Sequence, residues 1–275
     1  MTRTLRFDET EYLKLLDLFF QVAQSLKGKR VDDHRMPPCH ELAMKIFCHA
    51  ATIWQLHQGT RVPIASIEAQ TDFYDHTSIA VLTRTVLETY LNQYEVFFEP
   101  TSDDEREFRF HLWRLRGFLL VENTVPVNPE MQPQYDAAKD QISQVKERIQ
   151  NTEAFARLSR KDQKEVLKKG ERKRNMETRL IAAGFSGKPL KKMYDYYCSH
   201  THADGLSGLQ VLNASGSKKD QISLTNTHMQ VVIMVLAKTV LDYAHRFSEA
   251  KAVCDSMQNE SSLARTWAGV AKAIP

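Results

Sequence analysis

The sequence is poor in the residues that sheet-rich folds and disulfide scaffolds require. Its 275 residues include only ten glycines and nine prolines, and a fold of many short strands needs more turns than these residues can supply. The four cysteines, Cys39, Cys48, Cys198 and Cys254, contain no C-x-x-C pair. This usage argues against a disulfide framework and favours a reducing compartment, so we predict a cytoplasmic protein.

Long apolar runs are also missing. The most apolar stretch, residues 231–237, is much shorter than the ~20 residues that span a bilayer. The first seven residues lack the apolar core of a signal peptide. We therefore expect a soluble chain with no membrane segment.

Signatures of the common nucleotide-binding and hydrolytic enzymes do not occur. The chain has no P-loop, no G-x-G-x-x-G, no G-x-S-x-G and no H-E-x-x-H motif. Two Cys-His pairs, at 39–40 and 48–49, are separated by about 180° around a helix, so they cannot bind one metal ion. The sequence predicts no cofactor and no metal site.

Helical periodicity is the strongest positive signal. The segment at about 75–98 is apolar around most of its circumference, which is typical of a helix in the middle of a bundle. A second long helix, at about 223–256, carries the apolar stretch, whereas residues 60–74 and 204–220 are predicted to be irregular. The predicted fold is all-α, a helical bundle around a central apolar helix.

A polar helical excursion is predicted within this bundle. Three prolines lie in residues 124–133 and mark a linker. The polar stretch that follows has few apolar residues, chiefly Ile142, Val145 and Ile149. We predict a single helical domain over 1–275, with an excursion at 127–185.

Two charged side chains interrupt the central apolar helix. Arg84 and Glu88 are four residues apart and share a helix face with Val81 and Leu91. Charges placed among apolar residues need polar partners, because burying an unpaired charge is costly. The pair is therefore either part of a structural network or part of a functional site.

A second polar face is predicted on a helix at about 189–203. Tyr196, Ser199 and His202 recur every three residues, so they lie near one face. His202 could act as a general base at neutral pH. The alternative is an ordinary polar helix end, because a helix C-terminus favours cations. We predict that Arg84, Glu88 and His202 come together in space.

These two helices resemble a bacterial family of helical proteins of unknown function. That family shares an R-x-x-x-E helix and a later Y-x-x-S-x-x-H helix, and is distantly similar to the HEPN proteins, many of which are ribonucleases of toxin and phage-defence systems. The resemblance covers roughly residues 72–240. It implies that Arg84, Glu88, Ser199 and His202 form a shared polar site.

Basic residues are concentrated at 157–174, where they could bind phosphate backbones. No aromatic residue lies within 156–184, so such contacts would be electrostatic rather than base-specific. A solvated helix face is the alternative. The candidate nucleic-acid-binding residues are Arg160, Lys164, Lys168, Lys169, Arg172, Lys173 and Arg174.

Two functions from different classes follow. The first is a HEPN-like, RNA-directed effector or metal-independent ribonuclease, with RNA bound by the 157–174 segment. In this function His202 acts as acid or base, Arg84 stabilises charge on phosphate and Glu88 orients Arg84. The second is a non-catalytic helical module that binds a partner protein or small ligand. The sequence leaves a homodimer open.

Overall fold

A computed structural model of the chain describes residues 7–28, 33–67, 69–122, 128–202 and 204–274. These residues form thirteen α-helices and one antiparallel pair of short strands. The predicted all-α bundle is confirmed. The chain divides into two compact units: unit 1 comprises Met1–Gln93 and Met176–Pro275, and unit 2 comprises Tyr94–Asn175.

Unit 1 contains nine helices and both strands within its described residues. In chain order these are α1 (Glu9–Gln24), α2 (Met36–His57), β1 (Thr60–Ile64), β2 (Ala69–Phe73), α3 (His76–Gln93), α8 (Met176–Ala182), α9 (Gly187–His202), α10 (Gly205–Ser215), α11 (Lys218–Arg246), α12 (Ser248–Ser256) and α13 (Gln258–Ala273).

Helix α11 is the centre of unit 1. It packs against α1, α3, α12 and α13, and every residue of 231–237 is buried. By length and composition α11 could also cross a membrane, although most of its apolar part is buried inside the protein. That test does not separate a core helix from a membrane helix, so the cytoplasmic location remains a prediction.

Polar side chains fix the neighbouring helices around this core. Asp8 begins α1 by accepting from the backbone N–H groups of Thr10 and Glu11, as an N-cap does. At the C-terminal end of α3, the Gln93 side-chain amide donates to the Cys39 carbonyl at 2.8 Å and to the Tyr243 hydroxyl at 3.2 Å. This buried bond set ties α3 to α2 and α11.

Three elements of unit 1 differ from the sequence prediction. The segment predicted to be irregular at 204–220 contains α10, because Asp204 caps it by accepting from Leu206 N–H and Ser207 N–H. The irregular segment predicted at 60–74 contains β1 and β2. The long helix predicted to reach residue 256 ends earlier, because Phe247 is extended and separates α11 from α12.

Unit 2 contains four helices within its described residues. They are α4 (Asp103–Glu122), α5 (Gln132–Gln150), α6 (Glu153–Ala156) and α7 (Arg160–Lys169). A π-helical turn, Tyr94–Phe98, precedes them. Unit 2 thus begins and ends earlier than the predicted excursion at 127–185, and it includes α4.

The core of unit 2 joins α4, α5, α6 and α7. The Asp104 carboxylate accepts from the backbone N–H groups of Glu153 and Ala154, both at 2.8 Å, so the start of α4 meets the segment after α5. The core residues are buried and apolar: Phe108, Leu112, Leu115, Ile142, Val145, Ile149, Ala154, Phe155 and Val166.

Helix α7 is bounded by clear signals. Ser159 accepts from Asp162 N–H at its start. Gly170 ends it with φ +65°, a conformation that favours glycine. A Cβ at Gly170 would lie 2.6 Å from the Cα of Arg116 and closer still to its backbone nitrogen. Glycine is therefore needed here both for its backbone angle and for close packing against α4.

Candidate functional site

The Arg84–Glu88 pair lies where α3 packs against α9. The two helices are antiparallel: the ring of His76, at the start of α3, is 6.3 Å from that of His200, whereas Glu88, three turns later, contacts Tyr194. This arrangement places polar side chains at two positions along the α3–α9 contact.

Tyr194 is the partner that α9 supplies to the pair. Nη2 and Nε of Arg84 lie 3.1 Å and 3.2 Å from Oε1 of Glu88. The Tyr194 hydroxyl donates to the same oxygen at 2.5 Å, and the guanidinium lies 5.6 Å from the Tyr194 ring centroid. The three side chains form a compact, charge-balanced group.

The group is only partly enclosed. The Arg84 and Glu88 side chains keep 20% and 35% of their exposure. Burial, together with the hydrogen bond to Glu88, raises the pKa of Tyr194, so the phenol stays protonated at neutral pH and is not a base. Chemically the group can hold α9 against α3 and can present the outer edge of one guanidinium.

A double-mutant cycle tests this assignment. We expect Glu88→Gln and Tyr194→Phe to be coupled by about 1 kcal/mol in unfolding free energy, because each change removes one side of the same charge-assisted hydrogen bond. Urea unfolding of the parent, both single variants and the double variant measures the coupling. Glu88→Gln with His202→Ala is the control and should be additive. Coupling in that control instead would place His202 in the group.

Ser199 and His202 are not part of this group. Ser199 is buried and its hydroxyl donates to the Tyr196 carbonyl at 2.8 Å. His202, the last residue of α9, is exposed and makes no hydrogen bond or ion pair with a described residue. It lies eight residues beyond Tyr194, about 12 Å along the helix axis. The structure therefore brings Tyr194, and not His202, to Arg84 and Glu88.

A histidine–tyrosine cluster lies at the other end of the α3–α9 contact. The ring of Tyr196 is 4.8 Å from that of His200 and 5.7 Å from that of His228, and the ring of Tyr197 is 5.3 Å from that of His228. His76 completes the cluster through His200. Three imidazoles and two phenols are thus gathered where α3, α9 and α11 meet.

His228 is the most unusual member of this cluster. It is buried, and neither ring nitrogen has a hydrogen-bond partner. Burial lowers the pKa of His228 to about 3, with a further contribution from His200 and His76. Within the described residues no group of histidine, cysteine or carboxylate side chains has metal-binding geometry.

The basic residues of α7 form a stripe in unit 2. Arg160, Lys164 and Lys168 follow one another at intervals of four residues, about 6 Å along the axis, and Lys161 lies within the same ~100° of arc. All four are exposed, and none forms an ion pair with a described residue. The opposite side of α7 is anchored by buried Val166.

The other predicted nucleic-acid-binding residues differ in their exposure and in their ion pairs. Lys169 is exposed but pairs with Glu165 at 2.7 Å. Arg172 and Lys173 are exposed beyond the end of α7. Arg174 is half-buried and pairs with Glu99 at 2.7 Å and with Glu95 at 3.3 Å. The prediction that Arg174 contacts nucleic acid at the surface is corrected, because its guanidinium pairs with these two carboxylates inside unit 2.

Comparisons of the sequence and of the structure found no match among family models, curated proteins or solved structures. The likeness to HEPN proteins and the catalytic roles of Arg84, Glu88, Ser199 and His202 therefore remain predictions.

Proposed function

We propose that the protein is an RNA-directed, HEPN-like effector that holds the phosphate backbone of RNA on the stripe of α7. The observation that supports it is the row Arg160, Lys164 and Lys168: three exposed cations, without ion pairs to described residues, at a regular spacing on a helix whose opposite side is anchored in a core. Such a row binds by charge and counterion release, without base readout.

The binding role has more support than the ribonuclease role. Glu88 already accepts from Arg84 and Tyr194, and the Ser199 hydroxyl already donates to a carbonyl. His202 is exposed and makes no hydrogen bond with a described residue, so it is the member of the proposed site that can exchange a proton with a bound RNA. Incubating RNA with the parent protein and with His202→Ala, in the presence of a metal chelator, tests the ribonuclease form.

Charge reversal of the stripe tests RNA binding. We expect Arg160→Glu, Lys164→Glu and Lys168→Glu together to weaken binding of a single-stranded RNA by about 100-fold at low salt, because three phosphate contacts become repulsive. In the parent protein the logarithm of the affinity should fall with that of the salt concentration with a slope of about −2. Fluorescence anisotropy of a labelled oligonucleotide measures both.

The matched control reverses three exposed lysines elsewhere, Lys14, Lys139 and Lys219, which gives the same change in net charge. Because these residues do not form one row, the control should bind RNA within about threefold of the parent. Equal losses in the two triple variants would reduce the effect to net charge and would contradict a defined binding stripe.

A helical module that binds a protein partner is the second candidate. It is favoured by α10, on which Leu206, Leu209 and Leu212 are large, apolar and exposed and, at intervals of three residues, share one side of the helix. An apolar helix face of this kind is typical of protein-binding surfaces. No binding of RNA by the parent protein at low salt favours this candidate.

A further inference from the structure

A cleft opens in unit 1 where the end of α1, the start of α2 and the end of α11 meet. Its volume is about 430 Å³, within the range of sites that bind small organic molecules. Most of its lining is apolar, and two of the apolar side chains are aromatic. The apolar lining residues are Leu26, Met36, Pro37, Met44, Tyr243 and Phe247.

The cleft is held in shape by bonds within the protein. Tyr243 is buried, and its hydroxyl donates to the Cys39 carbonyl at 3.1 Å. Beside the cleft, Asp33 pairs with Arg35 at 2.6 Å and lies 3.9 Å from the Arg246 guanidinium. These contacts tie the start of α2 to the end of α11. A cleft that is formed in advance lowers the entropic cost of binding a ligand.

His40 is a polar side chain of this cleft whose hydrogen bonding is incomplete. Its Nδ1 is buried without a hydrogen-bond partner, and its Nε2 makes no hydrogen bond with a described residue. Nε2 is therefore the nitrogen that a ligand can reach, as donor or acceptor according to the tautomer. Lys27 and Glu41 also line the cleft. Both are exposed and form no ion pair with a described residue, and their opposite charges favour no ligand of one sign.

We propose that this cleft binds a small, uncharged molecule with a flat aromatic body and one hydroxyl or N–H group. The aromatic body packs against Phe247, whose ring centroid lies 5.4 Å from that of Tyr243. Met36 and Met44 adapt to its outline, because methionine is flexible and its sulfur makes favourable contacts with aromatic rings. The hydroxyl or N–H group bonds Nε2 of His40, which replaces the water that the ligand displaces. This site does not depend on RNA binding by the stripe of α7.

Equilibrium dialysis with 2-naphthol tests the site, and naphthalene is the matched ligand without the hydroxyl. The parent protein should bind 2-naphthol with a Kd of about 0.1 mM. His40→Phe keeps a ring at this position but removes the nitrogen. It should therefore shift the ratio of the two affinities by about tenfold in favour of naphthalene, because only 2-naphthol loses a hydrogen bond.

His49→Phe is the matched control. His49 lies on the opposite side of α2, also has a buried ring nitrogen without a partner, and does not line the cleft, so this variant should keep both affinities. Met44→Trp fills the cleft and should weaken both ligands at least tenfold, and Leu26→Trp serves if circular dichroism shows that Met44→Trp is unfolded. No binding by the parent, unchanged binding by a folded filling variant, or the same affinity ratio in the parent and in His40→Phe would overturn the site.

Charged analogues test the class of ligand. The probes 2-naphthoate and 2-naphthylmethylamine carry the same two rings with one negative or one positive charge. Each should bind more weakly than 2-naphthol, because a charged group loses water at a mainly apolar cleft and meets both Lys27 and Glu41. Tighter binding of 2-naphthoate that is lost in Lys27→Gln, or of the amine that is lost in Glu41→Gln, would contradict an uncharged ligand.

Discussion

Acidification from neutral pH to about pH 4 is expected to lower the free energy of unfolding by about 3 kcal/mol through His228 alone. The pKa of His228 is about 3 in the folded protein, against an ordinary value of 6.5. Between these two values the unfolded chain takes up a proton that the folded chain does not. Stability is therefore fully present above pH 6.5 and is lost as the pH falls towards 3.

Substitution of His228 by leucine isolates this contribution. Urea unfolding at a series of pH values should give His228→Leu a smaller loss of stability on acidification than the parent, whatever its stability at neutral pH. His202→Leu is the matched control, because it makes the same substitution at an exposed histidine, and an equal change of slope in both variants would mean that the effect is not specific to His228. Parallel curves for the parent and His228→Leu would mean that His228 is protonated in the folded state.

Gly170→Ala is expected to destabilise unit 2 by about 3 kcal/mol, because two costs add at one position. The residue has φ +65°, which is unfavourable for alanine. The added Cβ would also lie 2.6 Å from the Cα of Arg116 and closer still to its nitrogen. These are backbone atoms, so α4 or α7 must shift.

Gly28→Ala separates the two costs. Gly28 has a similar φ, +72°, but nothing lies within 4 Å of an added Cβ. It should therefore show only the conformational cost, about 1 kcal/mol. Amide hydrogen exchange followed by mass spectrometry reports each unit separately. Equal effects of the two substitutions would show that the approach of Gly170 to Arg116 is not tight in solution.

Helix ends with a local chemical signal could be predicted from the sequence. Asp8 and Ser159 act through atoms within four residues of themselves, so the sequence contains the whole interaction. Gly170 gives a local signal through its backbone angle, whereas its close approach to Arg116 depends on the packing of α4. Helix α10 was missed because its Gly, Ser and Asn content is typical of loops. Its cap, Asp204, and its spaced apolar residues were the available signals.

The partner of the Arg84–Glu88 pair could be predicted only in part. The sequence indicates that charges on an apolar helix need polar partners, and α9 does supply one. It does not specify how far two antiparallel helices slide along each other. That register places Tyr194 opposite Glu88 and His200 opposite His76. The sequence analysis therefore chose the correct helix, α9, but placed the partner at His202, about two turns beyond Tyr194.

Arg174 illustrates the same limit on a smaller scale. In the sequence it is one of several neighbouring cations, with nothing local to separate it from Lys173. Its ion pairs with Glu95 and Glu99 join distant parts of the sequence, and such contacts depend on the packing of the whole unit. Composition therefore located the basic segment, whereas the tertiary structure decides which of its charges are available.

The interruption of unit 1 by unit 2 determines the order in which the two can fold during synthesis. Unit 2 is continuous in sequence, so its core is complete once residue 175 has left the ribosome. Helices α1, α2 and α3 are made first, but they pack against α11, and α1 also packs against α13. The Trp267 indole, for example, donates to Glu11 across 256 residues. Helices α1, α2 and α3 therefore cannot complete their packing until α11 and α13 have been synthesised. Until then their apolar faces remain accessible to chaperones.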